Sequence, residues 1–99
     1  TVASQASNFI ASETGANNAI AVSLTDPSGV TVPQVQGLQM TILLAHTLRA
    51  GANTLTLNGG TATAIKSHLN PANNIATAYA SGGVIQVLFD GTQYLDLSQ

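Results

Sequence analysis

The chain has 99 residues, of which 44% are hydrophobic and only 6% charged, with a net charge of −2 at neutral pH. That length makes one domain, and its charges (Glu13, Asp26, Arg49, Lys66, Asp90 and Asp96) supply no basic patch for nucleic acid or an anionic membrane. Cysteine is absent, which excludes disulfides and thiolate metal sites, and no apolar run reaches the roughly 18 residues of a spanning helix.

The chain opens on Thr1 rather than methionine and reads as a single β domain over 1–99, cut from a longer protein. Strands are expected at 7–13 and 18–24, around the turn signal Thr14-Gly15-Ala16-Asn17. In the second strand Ile20, Val22 and Leu24 share one face, opposite Ala19, Ala21 and Ser23. Asp26-Pro27-Ser28-Gly29 fits a type I turn. The segment 28–36, SGVTVPQVQ, has strand composition, but Pro33 confines it to an edge or a loop.

A strand at 37–48 places Leu38, Met40, Ile42 and Leu44 on one face. His46 extends that face and reads as a hydrogen-bonded imidazole in the interior or at an interface. The next pair, 53–58 and 61–66, is a hairpin turned by Asn58-Gly59-Gly60, with Leu55 and Leu57 toward the core. Further strands are expected at 75–79, 83–89 and 92–97. Ile85, Val87 and Phe89 share a face, and Asp90-Gly91 suits a type I′ turn. Leu43 and Ala45, and likewise Val84 and Leu88, lie opposite these apolar faces. A strand apolar on both sides needs cover on both sides. A capping loop would provide it; a subunit interface is the favoured reading.

Turns at such regular intervals point to a sandwich or barrel. The expected architecture is a small antiparallel β-sandwich of seven or eight short strands, associated with other copies of itself.

The residues that do chemistry are sparse. His46 and His68 are the only histidines and lack the short paired spacing of zinc sites, and no acidic loop suits calcium. There is no Gly-x-Ser-x-Gly elbow. Gly59-Gly60 and Gly82-Gly83 precede no helix, so they are not phosphate cradles. No metal, cofactor or catalytic set is expected. What remains is a neutral loop, SHLNPANNIATAY, in which His68, Asn70, Asn73, Asn74 and Tyr79 offer imidazole, amide and phenol groups. Such groups suit uncharged glycans, because they donate and accept while an aromatic ring covers a sugar face. These five are the candidate ligand-binding residues; the competing reading is a solvated loop.

The stretches HTLRAGANTLTLNGGTATAIK and SGGVIQVLFDGTQYLDL together resemble a module of bacteriophage tail-fibre and related receptor-binding proteins. The matching positions are Thr54, Leu55, Asn58 and Gly59, then Gly83, Phe89, Asp90, Gly91, Thr92 and Tyr94. The resemblance covers residues 37–97, while 1–36 match only loosely as a preceding strand pair. It departs at Arg49-Ala50-Gly51-Ala52-Asn53, where the family more often has Asn-Thr-Gly, and at Phe89, where Tyr is commoner.

The resemblance implies a virion component outside the cell, a trimeric fibre domain at the tip or along the shaft. Its partner would be a bacterial surface glycan or an outer-membrane protein. The matching residues are scaffold, so no ligand site is carried over. A spacer or trimerisation module of the same fibre is the main alternative. A cellular adhesin and a polysaccharide-degrading enzyme are more distant ones.

Overall fold

The computed structural model describes residues 8–25 and 28–98, so Thr1 and the Asp26-Pro27 half of the expected turn lie outside the described residues. Seven strands follow in chain order: β1 (Asn8–Ala16), β2 (Ala19–Val22), β3 (Gln39–Leu43), β4 (Thr54–Leu57), β5 (Thr63–Ser67), β6 (Val84–Phe89) and β7 (Tyr94–Asp96). No helix occurs among the described residues. The expected all-β class forms.

The sandwich does not. The strands close into a barrel in the order β1–β2–β4–β5–β7–β6–β3, with β3 returning to β1. The cause lies in β1, whose first half, Asn8–Ser12, pairs parallel with β3. Its second half, Glu13–Ala16, pairs antiparallel with β2. β1 therefore serves two sheets, as does β5, which pairs with β4 in one and β7 in the other. The two shared strands join the sheets into a ring. The sheets are also mixed rather than antiparallel, because β1–β3, β2–β4 and β5–β7 are parallel pairs. Turn signals report hairpins between neighbours in sequence. Parallel partners meet through long connections, so no local motif announces them.

Period-two alternation fixes which side chains fill the barrel. Ile20, Val22 and Leu24, then Leu38, Met40, Ile42 and Leu44, then Leu55 and Leu57, then Ile85, Val87 and Phe89 are all buried, as their spacing requires. Tyr94 is fully buried beside Phe89, their ring centroids 5.2 Å apart. The β4–β5 turn is left-handed at Asn58 and Gly59, with φ of 53° and 72°. In the β6–β7 turn positive φ falls on Gly91, not Asp90, so the type I′ expectation fails there. Instead the Asp90 carboxyl accepts the N–H groups of Thr92 and Gln93.

Two expected strands change character. The run 37–48 is regular only to Leu43, and 75–79 is not a strand. Yet the two segments meet. The register that pairs Leu43 with Val84 continues: the Leu44 N–H reaches the Gly83 carbonyl, and Leu48 and Tyr79 exchange both N–H···O bonds. The Gly51 N–H then reaches Ile75. Residues 44–51 and 75–83 thus form an irregular ribbon that prolongs β3 and β6. Leu48 and Ile75 on this ribbon are buried in the same core as the barrel residues, and Tyr79 packs against it.

The second apolar face remains uncovered in the single chain. Leu43 and Val84, directly paired across β3 and β6, are 46% and 45% exposed. Ala45 is exposed and Leu88 half-buried. Among the described residues, no capping loop of the kind considered from the sequence covers Leu43 and Val84.

Candidate functional site

The candidate loop is held by a buried acid that the sequence reading did not select. Asp96 is fully buried at the end of β7. Its carboxyl accepts the Tyr79 O–H at 2.7 Å through one oxygen and the Ser98 N–H at 2.9 Å through the other. The Asp96 carbonyl lies 2.7 Å from His68 Nδ1. A carbonyl only accepts, so Nδ1 carries the proton and neutral His68 presents an unprotonated Nε2. Two of the five candidate residues thus converge on one strand residue.

The other three sit on the turn between them. Asn70 Oδ1 accepts the Ala72 N–H, closing a local turn, and the Asn70 carbonyl accepts the Asn73 N–H. Asn74 Oδ1 accepts from Lys66 Nζ at 2.8 Å, beside a β-bridge between the same two residues. Gln93 reaches across from the β6–β7 turn to donate to the Pro71 carbonyl. Asn73 is exposed, and its side-chain amide makes no hydrogen bond with the described residues. Leu69, in the same loop, is 78% exposed. The loop is a pinned structure in which residues 69–74 and 76–78 are exposed, Asn73 with its side-chain amide among them.

A second polar cluster lies where β3 leaves the barrel. The Glu13 side chain is fully buried, and His46 Nδ1 lies 2.7 and 3.2 Å from its two carboxyl oxygens. His46 is therefore the hydrogen-bonded imidazole that its place in the apolar row predicts. Both Glu13 and Asp96 could have been found from phase alone. Glu13 follows buried Ala11 by two, and Asp96 follows buried Tyr94 by two. An acid in phase with a buried row needs a partner inside.

Tyr94 donates its O–H to Gln34 Oε1 at 2.7 Å, and burial raises its phenol from 10.0 to about 12. Among the described residues no group of three or more His, Cys, Asp or Glu could hold a metal ion. No family model, curated protein or solved structure matches the chain.

Proposed function

We propose that this chain is a noncatalytic attachment domain of a phage tail fibre, acting as a homotrimer on a bacterial surface glycan or protein. The observation that carries the reading is the pinned loop: residues 68–79 are fixed to β5, β7 and the 44–51 segment while Asn73 keeps an unused amide at the surface. A site fixed in advance loses little entropy on binding. The scaffold positions of the tail-fibre resemblance support the same assignment, since Asn58 and Gly59 make their turn and Phe89 and Tyr94 pack together. Glu13 and Asp96 are buried and engaged with their own partners, which supports a noncatalytic role. Three copies would raise weak contacts by effective concentration.

A second reading, a spacer within the fibre, has its own observation. His68, Asn70, Asn74 and Tyr79 all spend side-chain groups on bonds inside the chain. Replacing Asn73 by Ala removes a surface amide and no internal bond, so it separates the two. Lost adsorption of the fibre to host cells, with unchanged oligomeric mass by light scattering, is the outcome expected for attachment. Unchanged adsorption assigns the domain to spacing, and a stable monomer would count against both.

A further inference from the structure

Asn58 joins three segments that are distant in sequence. Its N–H donates to the Val22 carbonyl at the end of β2. Its Oδ1 accepts the Leu24 N–H at 2.7 Å, and its Nδ2 donates to the Val32 carbonyl at 2.8 Å. The residue that follows is Gly59, in the left-handed region at φ 72°.

Asn-Gly is the dipeptide in which backbone attack on a side-chain amide is least hindered, because glycine carries no Cβ to shield its nitrogen. We infer that Asn58 is a latent deamidation site, held inert by the native clasp and released when the chain unfolds. In the open chain the Gly59 nitrogen gives up its proton to solvent base and attacks Asn58 Cγ. The Cγ–Nδ2 bond breaks, and the nitrogen leaves as ammonia with a proton from water. Water then opens the succinimide at one carbonyl or the other, giving aspartate or isoaspartate. Water is the only co-reactant.

In the native state this geometry is blocked at both ends of the amide. Oδ1 is tied to Leu24 and Nδ2 to Val32, so Cγ cannot turn toward Gly59 without losing both bonds. The product cannot rebuild the clasp. An aspartate keeps an acceptor for Leu24 but sets a second oxygen against the Val32 carbonyl, where an N–H donor stood. Isoaspartate adds a backbone methylene inside a turn that needs Asn58 at φ 53°. Either product frees the 28–36 segment from the β4–β5 turn. A chain left unfolded is thereby marked, and it refolds to a looser state.

The test is peptide mapping by mass spectrometry after incubating the whole chain in mildly alkaline buffer, native in one arm and urea-unfolded in the other. Conversion at Asn58 is expected to be at least about tenfold slower in the native arm, equivalent to about 1.4 kcal/mol of opening cost. Equal rates in the two arms overturn the proposal. Asn58→Asp is the second measurement. Faster proteolysis within 28–36 is expected; cleavage there at the wild-type rate overturns the claim that the clasp is lost. If that variant does not fold, the comparison of the two arms with wild-type chain still decides.

Discussion

Asparagine amides do in this chain much of what charged side chains do elsewhere. Asn18, left-handed at φ 65°, accepts the Arg49 N–H, and Asn17 beside it accepts that of Thr47. Asn53 donates to the carbonyls of Arg49 and Gly51. A neutral amide loses less on leaving water than an ion does. The one ion-pair geometry among the described residues, a partly exposed His46 on a buried Glu13, shows the contrast. His46→Ala strands the Glu13 carboxyl inside without its donor, and is expected to cost about 1–3 kcal/mol in urea unfolding. Glu13→Leu with His46→Leu should cost less than His46→Ala alone, because two matched apolar groups leave nothing unpaired. A double variant as unstable as the single one would refute that account.

Tyr94 gives a residue-scale prediction in pH. Its native value of about 12 lies above the unfolded 10.0, so the neutral phenol is favoured by folding. That stability is whole below pH 10.0 and is lost as pH rises through about 12. Tyr94→Phe should flatten this alkaline limb, while forfeiting the bond to Gln34. Thermal melts of both proteins across that range check it.

Among elements, the ribbon of 44–51 and 75–83 is the informative one. It keeps the register of β3 and β6 as far as Leu48 and Tyr79, slips by one residue at Gly51 and Ile75, and buries Leu48 completely. Leu48→Ala should therefore cost about 2–5 kcal/mol, as in a strand core, though Leu48 lies in no regular strand. Tyr79→Phe should act differently, by leaving an oxygen of buried Asp96 without its donor. Hydrogen exchange at the Leu48 and Tyr79 amides is expected to accelerate more than exchange in β1 or β2. Uniform acceleration over the whole barrel would show that the ribbon has no stability of its own to lose.

This ribbon also marks where the sequence was readable. The apolar rows of β2, β3, β4 and β6 follow from alternation, which depends only on neighbouring residues. So does the Asn58-Gly59 turn. The strands expected at 37–48 and 75–79 contained the right pairing residues, Leu48 and Tyr79, but not the interruption between them. Residues 44–48 read as strand by composition but leave the regular sheet after Leu43. The break at Ser81-Gly82-Gly83, where Gly82 takes φ 90°, falls instead on a stretch with turn composition. In the candidate loop the sequence offered the polar groups but not their uses. Tyr79 is drawn inward by Asp96, seventeen residues further on. Only the fold brings that acid to it.

For the whole molecule, closure explains the unusual composition. Open sheets expose edge strands, which natural proteins guard with charge, above all lysine. In the barrel each strand has two partners, so two basic residues in the entire chain create no edge problem. On the barrel wall, Leu43 and Val84 stay exposed.

Closing the barrel needs both halves of β1, each pairing in a different sheet. Its Glu13–Ala16 half can zip onto β2 across a short turn, but Asn8–Ser12 must wait for β3 to arrive from some thirty residues away. The β1–β3 pairing, made last, is then the one that closes the ring. Refolding should be one exponential phase on about the millisecond-to-second scale of non-local β proteins. A stopped-flow trace with a populated half-barrel, seen as missing initial amplitude, would contradict this. The strand that makes the barrel whole also makes its assembly all-or-none.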